Sequence, residues 1–535
     1  MRLNGIADPF YYLDNFRLMI ETLMRRDGDL LAADELTFIG DYAQLATGAR
    51  ALLVRMVMRQ GPLFRASRLV YHEIPDLEAA VLPLIELGWV DGRPQLNVRD
   101  LVRLFSKAEL VSMFTLPIQC LREPKTALLD RLWDSPCSVP YGVPDAVYRL
   151  GIAELCDRLC RMFFGNFRQT LTEFVLADLG VLRFENANPP AQSRPFRTRR
   201  QVDDFHRLYL CREMLAAGDL AGVEELLPLR IDDCDWLEDR RQKLRFRLAR
   251  IYERAGQIDR ALGIYESCAY PEAALRACRL IDVANGVRRR RCGDTRAVPA
   301  FELALEGPND SISVECRVRD HLRAATEDDT VVLYVENALV NSLFGLLCWP
   351  AIFAPVPGAF FHAFHRGPAD LLRPGFVERR HREFAQCLAE LDSGNYRATI
   401  LGRFAEKRGI CSPFVTWGLL DEALLHTALE CIPPHHLNHW FAWMMRDLKT
   451  NRAGFPDLVQ FWPADRRYRL IEVKAPGDRL QANQRACMQH MLLLQIPVSV
   501  CHVRWQADGV DRQGGVGRPA GSGMYSDSPG TAGKR

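Results

Sequence analysis

The chain has 535 residues, with 69 basic and 67 acidic side chains and a formal net charge of +2. This length predicts three or four domains. Because 48% of the residues are hydrophobic and 25% are charged, disorder is excluded as the main state. The balanced charge also excludes a histone-like polycation.

The spacing of the cysteines and the lengths of the apolar runs indicate the cellular compartment of the protein. The sixteen cysteines include no CxxC pair, which argues against a zinc site or a redox motif. The chain does not open with a charged segment followed by an apolar one, and no run of 18 apolar residues occurs. We therefore expect a protein without membrane spans in a reducing cytoplasm.

The first predicted elements are helices. In residues 1–60 the apolar residues recur at helical spacing, as in YYLDNFRLMIETLMRR. A small helical or winged module follows over 61–185, around a Gly-Arg-Pro turn at 92–94. Four arginines cluster across the boundary between these segments and either contact phosphates or form a solvated surface: Arg55, Arg59, Arg65 and Arg68.

A proline- and arginine-rich stretch, Glu185–Arg200, reads as a linker. Its Arg197, Arg199 and Arg200 belong either to a solvated segment or to a phosphate-contacting edge. Over 186–300 the pattern predicts helices, with one hairpin typical of a tetratricopeptide unit and further basic residues at Arg276, Arg279 and Arg288–Arg291. Nearly all of the chain before residue 455 is predicted helical, including the segment from about Val331.

The residues that carry chemistry lie in GFPDLVQFWPADRRYRLIEVKAPGDRLQANQ. Two short apolar runs, Asp457–Trp462 and Tyr468–Lys474, flank a turn and predict a β-hairpin. Glu472 and Lys474 are two residues apart and share a face. Centring the turn near residue 465 places Asp457 opposite residues 472–474, so the hairpin gathers two carboxylates and one ammonium.

Two buried carboxylates repel unless a cation lies between them. A Mg²⁺ or Mn²⁺ ion held by Asp457 and Glu472 would make both anions favourable. Lys474 would then position a water molecule or stabilise charge that develops on a phosphate. The alternative is a cross-strand salt bridge. A helix follows the hairpin at once, and Gln484 is placed about one and a half turns into it, on a side able to return to the site.

With the final run VSVCHVRW, the order becomes α-β-β-α-β, which resembles the PD-(D/E)xK nuclease fold and its VRR-NUC branch. GFPDLVQFW, YRLIEVKAPGDRLQANQ and VSVCHV look like the nuclease module of Fanconi-associated nucleases, in bacterial form. The resemblance implies a mainly α multi-domain protein with a C-terminal α/β, restriction-endonuclease-like domain. We expect a helical region at 1–60, a SAP-like DNA-binding module at 61–185, a tetratricopeptide-like domain at 186–300, a VRR-NUC domain at 301–505 and a disordered tail at 506–535.

The resemblance also implies functional residues. Glu336 stands 13 residues before Trp349, where the family has a further acidic metal ligand, and the backbone carbonyl of Val473 is a ligand by the same likeness. The implied activity is metal-dependent cleavage of 5′-flap and other branched DNA with 5′→3′ exonuclease action, in interstrand-crosslink repair. The family grips a terminal 5′ phosphate in a basic pocket, which no pattern locates in this sequence. Arg479 joins the basic residues expected to contact DNA.

Two other functions stay open. Stand-alone modules of this branch resemble Holliday-junction resolvases, which dimerise. The long helical part argues instead for a monomer that works on flapped DNA near the nucleoid. A non-catalytic DNA-binding repair scaffold is the third hypothesis, and the intact D…ExK…Q set argues against it.

Overall fold

The computed structural model describes residues 8–59, 61–133, 145–187, 193–285, 298–307, 312–325 and 329–506. The chain divides into two compact units, Met1–Thr295 with Ala338–Arg452 and Arg296–Asn337 with Ala453–Arg535. We call them the helical unit and the nuclease unit. The four boundaries between the predicted domains stay predictions. The chain passes between the two units at three points, one just before the predicted segment 301–505 and two inside it. Arg288–Arg291 and the tail from residue 507 lie outside the described residues.

The first part of the helical unit is a helical layer with a small antiparallel sheet, in the order β1-β3-β2. Of the two predicted forms of the 61–185 module, the structure therefore has the one with strands. Capping boxes begin two of its short helices, at Asn97 and Ser106. The elements are α1 (Tyr11–Asp27), α2 (Ala33–Gln44), α3 (Thr47–Val57), β1 (Leu63–Arg65), α4 (Leu77–Glu86), β2 (Val90–Asp91), α5 (Val98–Leu104), α6 (Lys107–Met113), α7 (Lys125–Trp133), β3 (Val147–Leu150), α8 (Ala153–Phe164) and α9 (Thr172–Asp178).

The next part consists of helical hairpins, as the sequence predicts. The turn between two of these helices, α12 and α13, contains Gly256, whose φ of 75° is one that glycine adopts readily. Tyr252 and Tyr265 on these two helices are buried. The helices are α10 (Arg199–Ala217), α11 (Leu220–Leu226), α12 (Asp235–Arg254), α13 (Ile258–Glu266) and α14 (Pro271–Ala284).

The prediction of helix for nearly everything before residue 455 is wrong at β1 to β3 and at two further strands. These are β4 (Ala300–Leu305) and β5 (Val331–Tyr334), with α15 (Val314–Ala324) between them. Both are short apolar runs, for which periodicity does not separate strand from helix. After β5 the chain is helical again and rejoins the helical unit through α16 (Ala338–Leu347), α17 (Trp349–Ile352), α18 (His381–Ser393), α19 (Tyr396–Lys407), α20 (Glu422–Cys431) and α21 (Pro434–Arg446).

The nuclease unit is built on a five-stranded mixed sheet in the order β4-β8-β7-β6-β5. Its last elements are β6 (Leu458–Trp462), β7 (Arg467–Lys474), α22 (Ala482–Leu493) and β8 (Val498–Trp505). The predicted order α-β-β-α-β is confirmed over α21 to β8. On one face the sheet packs against α15, whose Val318 is fully buried. Among the described residues, no helix is both long and apolar enough to cross a membrane.

Candidate active site

The β6–β7 hairpin places Asp457 beside Glu472, as the sequence predicts. Leu458 pairs with Ile471 in antiparallel register, so the residue before Leu458 faces the residue after Ile471. Asp457 accepts a hydrogen bond at Oδ2 from the Val473 N–H, at 2.8 Å. This bond fixes the carboxylate at the carboxyl end of β7.

The Val473 carbonyl points to the same side of β7 as Asp457. The Leu470 N–H donates to the Pro497 carbonyl on the β8 side. The backbone N–H and carbonyl groups of the even-numbered residues of β7 therefore point toward β8, and those of Val473 point toward β6. Since the N–H of Val473 reaches Asp457, its carbonyl lies on the side of Asp457 as well. The predicted backbone ligand is thus placed next to the predicted side-chain ligand.

Glu472 is a fully buried carboxylate whose one cationic partner is the ammonium of Lys474. Its exposed fraction is 0%, and among the described residues no group other than Lys474 donates to it. Lys474 Nζ lies 2.7 Å from Oε1 as an ion-pair partner. Both residues are on one face of β7, so the prediction of a shared face is confirmed.

Burial and like charge make this pair of carboxylates easy to protonate. Burial raises the pKa of Glu472 to about 7, with a further contribution from the charge of Asp457, while Lys474 acts in the opposite direction. Burial likewise raises the pKa of Asp457 to about 6, against the hydrogen bond from Val473. The arrangement is one in which an additional cation would stabilise both ionised forms.

The backbone of Glu336 lies next to the Asp457–Glu472 pair. The N–H groups of Val335 and Glu336 both donate to the carbonyl of Asp457, at 2.8 and 2.9 Å. The φ of Glu336 is 37°, in the left-handed region that a side chain of this size seldom adopts. Its carboxylate is exposed and accepts hydrogen bonds from the Tyr334 hydroxyl, at 2.8 Å, and from Asn337 Nδ2, at 3.2 Å.

Gln484 is closer to the helix start than predicted, because α22 begins at Ala482 and Gln484 is its third residue. Gln484 Oε1 accepts a hydrogen bond from the Gln481 N–H and completes a capping box. Gly454, with a φ of 97°, approaches this end of α22 so closely that a Cβ would lie 2.9 Å from the Asn483 backbone. The placement one and a half turns into the helix is therefore wrong, although Gln484 does lie near the segment that leads to Asp457.

A fourth carboxylate, Glu315, was not found by sequence reasoning. It is half-buried in the first turn of α15, and its charge raises the pKa of Asp457 more than that of Glu336 does. The only sequence signal is the capping residue Ser313, which marks a helix start. It does not indicate that this helix end faces the hairpin.

The candidate ligand atoms of this site fit a hard divalent cation. All are oxygens, and the buried carboxylate of Glu472 has no described hydrogen-bond donor other than the Lys474 ammonium at Oε1. In the part of the chain that the structure describes, no three acidic, histidine or cysteine side chains converge closely enough to enclose a metal ion. A third carboxylate would therefore have to move to complete a ligand set.

The ten arginines predicted to contact DNA divide into two groups. Four form ion pairs with acidic residues at 2.5 to 2.9 Å: Arg55 with Glu73, Arg65 with Glu109 and Asp145, Arg199 with Glu35 and Asp203, and Arg276 with Glu253. The other six are exposed: Arg59, Arg68, Arg197, Arg200, Arg279 and Arg479. DNA contact by these residues stays a prediction.

The helical unit also gathers cations that no sequence pattern indicates. Burial and the positive charges of Arg373, Arg168 and Arg212 lower the pKa of Arg240 to about 10. Its guanidinium lies over an aromatic group, 4.8 Å from the Phe167 ring centroid. We call the following set the basic cluster: Arg168, Arg240, Lys243, Arg373, Lys449 and Arg452.

The basic cluster combines exposed and half-buried cations. Lys243 and Lys449 are exposed, and partial burial together with neighbouring positive charges, Lys449 first among them, lowers the pKa of Lys243. The basic cluster is formed by residues from well-separated helices and loops, so no local run of basic residues in the sequence indicates it. Such a concentration of like charge is the usual electrostatic signature of an anion-binding surface.

A five-stranded mixed sheet with Asp457, Glu472 and Lys474 at one strand end defines a PD-(D/E)xK nuclease. Comparisons with known proteins agree. Residues 10–91 match the model described as FAN1, HTH domain, and residues 392–505 match the VRR-NUC domain.

The chain is similar to named nucleases over most of its length. It is 43% identical to a Fanconi-associated nuclease 1 homolog of Pseudomonas aeruginosa, covering 94% of this chain and 97% of that protein. A homolog of Arabidopsis thaliana is 22% identical over 92% of this chain and 67% of its own length. A crystal structure of paFAN1 bound to 2-nt 5′-flap DNA with a gap has a TM-score of 0.86 at 42% identity, covering 94% of this chain and all of that one. The chain belongs to the Fanconi-associated nuclease family, and it is a nuclease.

Proposed function

We propose that this nuclease hydrolyses phosphodiester bonds in 5′-flap and other branched DNA, with Mg²⁺ or Mn²⁺ as cofactor and with 5′→3′ exonuclease action. The observation that carries the proposal is the buried Glu472 carboxylate, which lies beside the carboxylate of Asp457 and has the ammonium of Lys474 as its one described donor. A protein keeps such a group at a cost in stability only where the charge is used. The substrate follows from the relative paFAN1, which binds 5′-flap DNA.

The ligands of the cation are Asp457, Glu472 and the Val473 carbonyl, with Glu336 as an additional carboxylate. A bound Mg²⁺ or Mn²⁺ supplies Lewis acidity toward a phosphoryl oxygen and lowers the pKa of water. The chain's own part is to hold the carboxylates ionised and fixed. The hydrogen bond from the Val473 N–H does this for Asp457.

Lys474 is the group that acts on the phosphate or on the attacking water. Its side chain is about nine-tenths buried and its ammonium already neutralises part of the charge of Glu472. When a cation takes over that task, the ammonium is free to orient water or to stabilise the extra charge on the phosphorus oxygens. Gln484 supports the site by fixing the first turn of α22.

The basic cluster is the proposed phosphate-binding surface of the helical unit. Its guanidinium and ammonium groups bind phosphate oxygens, and the aromatic rings beneath Arg240 keep that side chain extended. The exposed arginines at positions 59, 68 and 197 are further cations of the same unit. Affinity for DNA should therefore fall steeply as salt rises. We further propose that the enzyme acts as a monomer on nucleoid DNA in the cytoplasm, in interstrand-crosslink repair.

An incision map tests the activity. The wild type and Asp457→Ala are compared on 5′-flap, 3′-flap and four-way DNA with Mg²⁺, Mn²⁺ or EDTA. We expect metal-dependent cuts by the wild type near the 5′-flap junction, and we expect Asp457→Ala to lose cleavage but to bind the flap at least as tightly, because it removes a negative charge. Asp465→Ala is the control, since Asp465 is exposed in the hairpin turn.

Three results would contradict the proposal. Unchanged cleavage by Asp457→Ala would remove Asp457 from the site. Cleavage in EDTA would exclude the cation. Preferred cutting of four-way DNA by a dimer, measured by light scattering, would instead favour the Holliday-junction resolvase.

A further inference from the structure

The carboxylate of Glu336 is held by its own neighbours, on the outside of the site. Tyr334 donates to one oxygen and Asn337 to the other, at 2.8 and 3.2 Å. Glu336 is exposed, whereas Glu472 is fully buried. The three acidic residues therefore occupy two different environments, although their backbones are adjacent.

Asn337 is itself fixed, so its bond to Glu336 has a defined direction. Its Oδ1 accepts hydrogen bonds from the N–H groups of Gly454 and Phe455, at 2.8 and 3.0 Å. Because the atom that accepts two N–H hydrogen bonds must be the amide oxygen, the other terminal atom is the amide nitrogen. The orientation of the amide is thereby fixed, with the nitrogen toward Glu336. Asn337 therefore joins the Glu336 carboxylate to the segment that enters β6.

Tyr334 is fixed by packing. Its backbone pairs with Leu458 in the β5–β6 ladder, and its ring packs against the apolar core beneath α15. The hydroxyl can therefore not follow Glu336 if that carboxylate turns toward Asp457 and Glu472. Binding a cation together with Asp457 and Glu472 and accepting the hydrogen bond from Tyr334 therefore require two different positions of the Glu336 carboxylate.

We propose that Tyr334 is a positioning residue that holds Glu336 outside the Asp457–Glu472 pair in the cation-free enzyme, so that cation binding has to break the Tyr334–Glu336 hydrogen bond. The inference rests on the proposed function. It adds a step in which the third carboxylate moves, with the left-handed backbone of Glu336 as the pivot. Tyr334 thereby sets how much Mg²⁺ or Mn²⁺ the enzyme requires.

Manganese titration of Tyr334→Phe tests this step. The full-length variant loses only the hydroxyl, and the carboxylate it releases is already exposed to water. A hydrogen bond to a charged group is worth enough for Tyr334→Phe to bind Mn²⁺ about three- to ten-fold more tightly in calorimetry. The half-saturating Mn²⁺ concentration for flap cleavage should fall by the same factor, with little change in kcat at saturating Mn²⁺.

Two controls separate positioning from a general effect on structure. Tyr396→Phe removes a buried hydroxyl without a hydrogen-bond partner in the helical unit and should leave Mn²⁺ affinity unchanged. In a Glu336→Gln background, Tyr334→Phe should have no further effect on Mn²⁺ affinity, because the competing anion is gone.

The outcomes distinguish this inference from the proposed function. Unchanged or weaker Mn²⁺ binding by Tyr334→Phe, with normal binding by the wild type, overturns the role of Tyr334. An equal gain in the Glu336→Gln background overturns it as well. Absence of Mn²⁺ binding by the wild type overturns the proposed cation site itself.

Discussion

Replacing Glu472 by glutamine should make the cation-free enzyme more stable and inactive. The substitution removes a fully buried negative charge that the ammonium of Lys474 neutralises only in part. It keeps the shape of the side chain. We therefore expect a gain in the free energy of unfolding at pH 8 in EDTA, together with loss of flap cleavage in Mg²⁺ or Mn²⁺.

The size of the gain follows from the pKa of Glu472, which burial raises from 4.5 to about 7. At about 1.4 kcal/mol for each pH unit, ionisation in the folded state costs roughly 3 kcal/mol, with the attraction of Lys474 included. Because the folded-state pKa is the higher one, the cost is absent below pH 4.5, grows between pH 4.5 and 7 and is complete above pH 7. The stability of the cation-free wild type should fall as the pH rises through this window.

Thermal unfolding from pH 4.5 to 8 in EDTA measures the effect. The melting temperature of Glu472→Gln should exceed that of the wild type at pH 8, and the difference should vanish near pH 4.5. Adding Mn²⁺ should raise the melting temperature of the wild type but not that of the variant. The matched control is Glu302→Gln, which removes an exposed carboxylate of the same sheet. A variant that melts at or below the wild type at pH 8 in EDTA would refute the reasoning.

Two further predictions concern the helical unit. Glu35 is fully buried and pairs with Arg158 and Arg199, each of which also pairs with a more exposed carboxylate, Asp34 or Asp203. Glu35→Ala should cost about 2–3 kcal/mol, because it removes the buried anion that the two guanidinium groups share. The cost should appear as a lower melting temperature, and unchanged melting would contradict this. Arg240→Gln should weaken flap binding and make the salt dependence less steep by about one counterion. Arg55→Gln, which removes an ion-paired arginine, should leave that salt slope unchanged; equal slopes for all three proteins would argue against the basic cluster as a phosphate-binding surface.

The hairpin that carries the site could be predicted from the sequence because the residues that determine it are close together in the chain. Two apolar runs and one turn determine the register, and register determines that Asp457 lies beside Glu472. The identity of the two carboxylates and of Lys474 follows from the same short segment. Nothing more distant in the chain is needed to bring these three residues together.

The rest of the site could not be predicted because it depends on distant contacts. Strands β4 and β5 are defined by partners more than a hundred residues away in the sequence. The exposed position of Glu336 depends on hydrogen bonds from Tyr334 and Asn337, which no spacing rule expresses. The ion pair of Arg199 could not be predicted for a similar reason, since its partner Glu35 is 164 residues away.

The nuclease sheet is assembled from two stretches of chain separated by the whole 338–452 insertion. Strand β8, the last of the chain's strands that the structure describes, lies between β4 and β7. During synthesis β4 has no neighbour until some two hundred further residues have been made, and pairing over such a separation is slow. The sheet can therefore be complete only once β8 has been made, after every residue of the helical unit that the structure describes, so the helical unit has time to fold first. A chain interrupted before β8 would keep the basic cluster but leave β4 without its partner strand. On the function proposed above, such a chain would bind DNA without cutting it.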